Sequence, residues 1–315
     1  MDRPRTLYNA AAVADGSSMT LRFLGTGGAF SRHYGTTCSL VTLPSGERWL
    51  IDCGRQAPDQ LWHAGLGWHE IAGQIITHVH GDHIFGLEDF AFQRYYQNGQ
   101  ARGVPVPSIM AGGPRPKFIA HRAVRSEVWE SLAASLRYLT IDGSPRSGTL
   151  ESYFEVIEPS AFEAPAANPW RHSETFDCGG VGLTVRESDH VPGKPSCSLE
   201  FQVPTGSTTT HPGGPKASER IAWWSGDCIV DAEFLIAIEP RTTIYFHDCT
   251  FTDYPGQVHG AFRLLAALPE RVRSKMVLMH HEDDIEIHRA QVEALGFRIG
   301  LPGQTYDLIS GRQVT

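Results

Sequence analysis

The chain has 315 residues, 41% of them hydrophobic, 10% aromatic and 20% charged, which is enough apolar material for one generous core and too much for a disordered protein. Lys plus Arg number 27 against 35 Asp plus Glu, a net charge of -8 that argues against a protein whose task is coating long nucleic acid. No apolar run approaches the ~18 residues of a membrane span. Residues 1–18 lack the continuous apolar stretch of a secretory leader, so the expectation is a cytoplasmic protein.

Residues 1–18 read as a polar, Ala-rich N-terminal extension, and 19–315 as a single domain. The first strand is predicted from Met19 (MTLRFLG), and the runs around the turn Pro44-Ser45-Gly46 read as a hairpin. A short β-rich run at 74–79 leads into a helical pattern from Ile84 to about Tyr96, and a second helix is predicted from His121 to Leu139. Strand patterns then return at 153–159, 181–190, 198–204 and 220–227. Helical stretches near 231–238, 260–268 and 285–295 interleave with strands at 243–248 and 275–280. Two β-rich halves that each carry helices predict an α/β (α+β) architecture in four layers, αββα, with two sheets packed face to face and helices outside. The stretch from about 96 to 178 reads as an insertion that shapes the pocket mouth, and its Arg137, Trp129 and Tyr138 read as packing residues more than as base contacts.

Six scattered cysteines contain no C-x-x-C pair, which suggests buried thiols and neither a disulfide framework nor a zinc ribbon. Histidine is the unusual residue, with 15 copies. His78, His80, Asp82 and His83 form an H-x-H-x-D-H cluster directly after an apolar strand. Alternate residues of an extended segment share a face, so His78 and His80 can point one way while Gly81 turns the chain. Imidazole and carboxylate donors suit zinc, with iron or manganese as alternatives.

The sequence resembles the metallo-β-lactamase superfamily over roughly residues 19–310. The resemblance rests on that cluster, on Leu24-Gly25-Thr26-Gly27-Gly28, on Leu50-Ile51-Asp52-Cys53-Gly54 and on three later strand ends. It implies the αββα fold and a site for two divalent ions, zinc first, with Mn2+ or Fe2+ as alternatives. By that resemblance His78, His80 and His190 hold one ion, and Asp82, His83 and His280 the other. Asp227 and a hydroxide bridge them, the hydroxide serving as nucleophile. His281 adjoins His280, and one of the two must face elsewhere; His280 is taken as the ligand. Asp52 is expected to hold a ligand from behind.

Tyr245-Phe246-His247-Asp248-Cys249-Thr250, followed by Val258-His259-Gly260-Ala261, is similar to paired signatures of the tRNase Z and phosphodiesterase branch. In that branch the corresponding segments read His-Glu-Ala-Thr and His-Ser-Thr. By position His259 is the proton donor to the leaving oxygen or a clamp on the phosphate. Asp82 and His259 are thus the expected catalytic residues, and His247, Arg32 and His33 the expected substrate contacts. The connection from His190 to Asp227 is too short for the tRNA-gripping arms of the tRNase Z enzymes. The function expected is therefore hydrolysis of a small or cyclic nucleotide-type phosphodiester. A thioesterase or lactonase of the same superfamily and a tRNA 3′-end-processing endonuclease are the alternatives, and a homodimer stays open.

Overall fold

In this computed structural model, residues 18–315 are described apart from 102, 142, 165–170 and 205–219. The expected extension at 1–18, Ser18 excepted, and most of the polar loop after Pro204 lie outside the described residues.

Two eight-stranded sheets carry the fold. In the first, Arg48–Ile51, Gly73–Ile76, Lys117–Ala120 and Glu155–Val156 run parallel in that spatial order. Cys38–Thr42, Thr20–Gly25, Thr305–Asp307 and Arg312–Gln313 continue the sheet antiparallel from Arg48–Ile51. The second sheet is antiparallel from Ala161–Glu163 through Ser173–Cys178, Val181–Ser188 and Ser196–Gln202 to Ile221–Trp224. From there Thr242–Asp248, Met276–Met279 and Arg298–Ile299 add in parallel.

Alternation along the strands explains the layering. In Ile221–Trp224, Ala222 and Trp224 join the large core between the sheets, whereas Ile221 and Trp223 join a second cluster with Leu235, Leu265 and Val292 from the helices outside. Ile244 and Phe246 against Tyr245, and Val277 and Met279 against Met276 and Leu278, repeat the division. A strand buried on both faces reads as a continuous apolar run, so these strands are legible in the sequence. On the first sheet, helices Ala57–His63, Leu87–Tyr96 and Arg122–Leu136 bury Leu61, Phe90 and Val128 in the large core. The expected αββα sandwich is the fold.

The stretch from 96 to 178 is not all peripheral. Lys117–Ala120 is an inner strand of the first sheet and Ser173–Cys178 an inner strand of the second. Among the described residues, only the pairs Gly99–Ala101 with Val104–Val106 and Tyr138–Ile141 with Ser144–Ser147 stand as separate two-stranded ribbons. Trp129 packs against the core, and Tyr138 is exposed. Ser173–Cys178 is hard to see in sequence because it buries Glu174, which accepts the Arg122 backbone N–H at 2.9 Å and pairs with the Arg122 guanidinium. The strand predicted at 153–159 begins instead as a helical turn, Leu150–Tyr153, and leaves only Glu155–Val156 extended. Tyr153 is drawn into that turn by burial, with its hydroxyl donating to the Leu136 carbonyl at 2.7 Å.

Candidate metal centre

The strand Gly73–Ile76 delivers Thr77 and His78 to the gap between the sheets, where His78 makes an antiparallel bridge to Ser196 of the second sheet. His80 stays extended and starts the turn Gly81–Ile84, which brings Asp82 and His83 round to the same point. Gly54 makes this turn possible: a Cβ there would lie 1.7 Å from the Asp82 carbonyl oxygen. The Cys53 N–H donates to the His83 carbonyl at 2.7 Å and locks the two segments together.

Asp52 lies behind this turn. Its buried carboxylate accepts the Thr77 N–H and the Thr77 hydroxyl at 2.8 Å each, and His83 Nδ1 donates to it at 2.8 Å. His83 Nε2 is thereby aimed into the centre, where it is buried without a hydrogen-bond partner. A carboxylate behind a ligand imidazole fixes its tautomer and orientation.

The remaining donors arrive at separate strand ends. His190 is oriented by Nδ1 donating to the Val258 carbonyl at 2.9 Å, and its Nε2 lies 3.3 Å from His80 Nδ1. His78 Nε2 lies 3.1 Å from the same His80 nitrogen and 3.7 Å from Asp227 Oδ2. Asp227 Oδ1 is 3.3 Å from His83 Nε2, and its Oδ2 is 3.2 Å from His280 Nε2. Asp82 Oδ2 is 3.3 Å from His83 Nε2 and 3.4 Å from His280 Nε2. The donor atoms gather into three groups that share Asp227: His78, His80 and His190 with it, Asp82, His83 and His280 with it, and Asp248, His259 and His280 with it. The first two are the groups that the superfamily resemblance implies. An aspartate shared by clusters of N and O donors, with a buried imidazole nitrogen that lacks a hydrogen-bond partner among them, fits divalent metal binding.

Among the described residues, the non-glycine positions with positive φ are Asp52 at 60° and His280 at 55°. Both belong to this centre, where strain of this kind is held in place by its surroundings. His281 takes the other direction. Its Nε2 lies 3.0 Å from the Gly300 carbonyl and its Nδ1 3.1 Å from that of Glu282, so it is a buried packing residue.

The electrostatics divide the donor side chains. Burial, then the His190 charge, pulls His80 down to about 4, so its ring is neutral at physiological pH. Burial works to raise Asp227, but His280, His83 and His78 outweigh it and hold the carboxyl well below the usual range. Burial also opposes charge on His83 and His280, yet the carboxylates around them, Asp227 foremost, keep both well above the ordinary histidine value.

Asp248 was not singled out from the sequence. It closes the strand Thr242–Asp248, whose alternation sets Phe246 on the inter-sheet face and His247 on the outer one. His259 Nδ1 donates to Asp248 Oδ2 at 2.8 Å, and the Cys228 N–H donates to the same oxygen at 3.1 Å. His280 Nδ1 lies 3.6 Å from Asp248 Oδ1. Asp248 thus stands behind both a ligand and the expected proton donor. Burial lowers His259, but Asp248 overcomes it and raises the ring above its ordinary value. Gly260 is required beside it, since a Cβ would fall 2.1 Å from the Asp248 carbonyl oxygen.

His247 departs from expectation. It is fully buried on the outer face of the second sheet, packed on Trp223, and does not join the metal donors. Arg32 and His33 also stand apart from the cavity of about 490 Å³ that His259 and His280 line; Phe30 and Ser31 line it instead. The reason is Asp283, whose carboxylate accepts the Ser31 hydroxyl and the backbone N–H groups of Arg32 and His33 and so fixes the turn. Thr250, Tyr254 and Gln257 also line that cavity; Thr250 ends the signature quoted above, and no motif in the sequence marks Tyr254 or Gln257.

A family model described as anti-Pycsar protein Apyc1 matches residues 19–299. A curated relative of that description from Paenibacillus harenae is 30% identical over 292 residues, covering 92% of this chain and all of the relative. The metallo-β-lactamase fold protein YhfI from Bacillus subtilis superposes with a TM-score of 0.62 at 15% identity, over 92% of this chain and 100% of its own. The short form of human tRNase Z gives 0.58 at 19% identity, over 92% and 99%. The two structures establish the metallo-β-lactamase fold, and the family match with the full-length relative establishes the rest: this chain belongs to the anti-Pycsar Apyc1 family.

Proposed function

We propose that this protein, a metal-dependent hydrolase, cleaves a phosphodiester bond in a small, cyclic nucleotide-type substrate at a site for two divalent ions, zinc first among them. The observation that carries the reading is His259, held by Asp248 on one nitrogen and facing the cavity beside the two donor groups. A thioester expels a thiolate that leaves without a proton donor, whereas an alkoxide leaving phosphorus needs one, so the bonded pair favours phosphodiester over thioester chemistry. The cavity of about 490 Å³ suits a mononucleotide.

When bound, the cations supply neutralisation of the phosphate oxygens and a lowered pKa for the attacking water. The chain's own residues do the rest. Asp52 and the Val258 carbonyl orient His83 and His190, so that part of the donor set is formed before the substrate arrives. Asp248 favours the protonated form of His259, whose other nitrogen can pass its proton to the departing oxygen, a step worth roughly 10²–10⁴-fold.

Turnover of a panel by zinc-loaded protein tests the reading: cyclic mononucleotides, linear dinucleotides, pre-tRNA, a thioester and a lactone, with Asp227→Ala as control. Fast cleavage of cyclic mononucleotides alone is the expected result. Preferential turnover of the thioester or lactone would overturn it, as would pre-tRNA being the better substrate.

A further inference from the structure

The cavity of about 490 Å³ beside the metal donors is lined by two aromatic side chains that the proposed hydrolysis does not use. Phe30 is 89% exposed and Tyr254 50%, so both rings are open to a ligand.

Both rings are carried by braced turns. On one side of Phe30 the Ser31 hydroxyl and the N–H groups of Arg32 and His33 donate to the Asp283 carboxylate. On the other side the Arg55 guanidinium donates to the Ala29 carbonyl. The Ser31 N–H closes the turn on the Gly28 carbonyl at 3.0 Å. The foot of this turn rests on the metal centre: the Gly28 N–H donates to the His281 carbonyl at 2.9 Å, and a Cβ on Gly28 would fall 3.3 Å from His280 Cε1. The Tyr254 turn is held by Gln257, whose side chain donates to the Thr252 carbonyl at 2.7 Å and accepts the His259 N–H at 3.1 Å. The Gln257 N–H donates in turn to the Tyr254 carbonyl at 3.1 Å. Phe30 is thus tied to the position of His280, and Tyr254 to that of His259.

An exposed phenyl forfeits the gain of burial, and its braced turn gives it no way to fold inward. The polar side chains around it are already engaged: the Ser31 hydroxyl with Asp283, and the Thr250 hydroxyl with Glu282. Among the described residues, no arginine or lysine lines the cavity. What the cavity offers a substrate beyond the metal donors and His259 is therefore flat apolar surface. A nucleobase brings a matching face, and stacking on an aromatic ring needs no charge. We propose that Phe30 is a specificity-determining residue of this cavity, stacking on the base of a nucleotide whose phosphate lies at the metal centre, with Tyr254 as a second aromatic contact. This rests on the phosphodiesterase function proposed above.

Steady-state kinetics of the zinc-loaded, full-length protein test it on cyclic AMP, cyclic CMP and the matching methyl riboside cyclic phosphate, which has a methoxyl group in place of the base. All three bring the same phosphodiester to the metal centre, so the comparison isolates the base. Phe30→Ala is expected to raise KM for the two nucleotides about five- to a hundredfold, the scale of one stacked base. Its kcat, and the KM of the base-free compound, should change less than about twofold. Phe30→Trp should restore the nucleotide KM. An equal change for all three compounds, or none for any, in a variant of unaltered thermal transition and metal content would overturn the proposal. A changed oligomeric state in light scattering would overturn it too, by making Phe30 a subunit contact. Calorimetric binding of cyclic AMP and the base-free compound to the slow His259→Gln protein, with and without Phe30→Ala, separates this contact from the function itself. A Phe30-dependent preference for the nucleotide, with no turnover by the unaltered protein, would refute hydrolysis and leave the stacking contact standing. Turnover without that preference would do the reverse, and failure of both compounds to bind would sink both.

Discussion

The two sheets contribute to the metal centre in different ways. The first supplies one contiguous segment, His78 to His83, braced from behind by Asp52 and Thr77. The second supplies single residues from separate strand ends, His190, Asp227 and His280, with Asp248 and His259 behind and beside them. One half is a local motif that a few turns and one buried carboxylate organise. The other exists only when the strands are in register. The comparison predicts that the second half is where substitutions separate metal binding, proton donation and packing from one another.

Asp227 is the residue both donor groups share, so Asp227→Ala should break the centre outright. The expected loss of turnover exceeds the roughly 10⁴-fold ceiling for removing a proton donor, with metal content falling by elemental analysis. His259→Gln should lower kcat by about 10²–10⁴-fold and leave metal content intact. Metal loss in that variant would make His259 a ligand and would place the grouping of Asp227, Asp248, His259 and His280 at the heart of the site.

Asp52→Asn tests the first half. It keeps the shape but weakens the hold on His83 Nδ1, and metal affinity should drop by about 10–100-fold in competition with a chelator. A tenfold change per proton is the scale of the pH effect. Carboxylates, Asp227 foremost, hold His83 and His280 above the ordinary histidine value against their burial, which favours their protonated forms before metal enters. Metal must displace those protons. Affinity should therefore rise as pH rises through the neutral range and fall as it drops, with proton release seen by calorimetry in buffers of different ionisation enthalpy. The smallest effect belongs to His281→Gln, which disturbs the contacts to Gly300 and Glu282. It should cost about 1–3 kcal/mol of stability in denaturant melts and leave metal content unchanged.

What the sequence disclosed follows the same division. The cluster from His78 to His83 is legible because its donors are neighbours along the chain. His190, Asp227 and His280 are legible only as a set in order, each being an ordinary strand-end residue alone. The signature around 247 drew attention to its histidine, yet strand alternation turns His247 outward and leaves Asp248 as the residue that faces the centre. Arg32 and His33 were expected as substrate contacts, in a segment only loosely similar to a basic loop of the tRNase Z enzymes. The bonds from Ser31, Arg32 and His33 to Asp283, far along the chain, decide that Phe30 and Ser31 line the cavity instead. Ser173–Cys178 was missed because its buried Glu174 owes its tolerance to Arg122, again a distant partner.

Crystals of the metal-loaded protein, measured on both sides of the zinc absorption edge, give the most direct test of the central claim. Two anomalous peaks are predicted, one against His78, His80 and His190 and one against Asp82, His83 and His280, with Asp227 touching both. A single peak, or ions bound away from Asp227, would contradict the account.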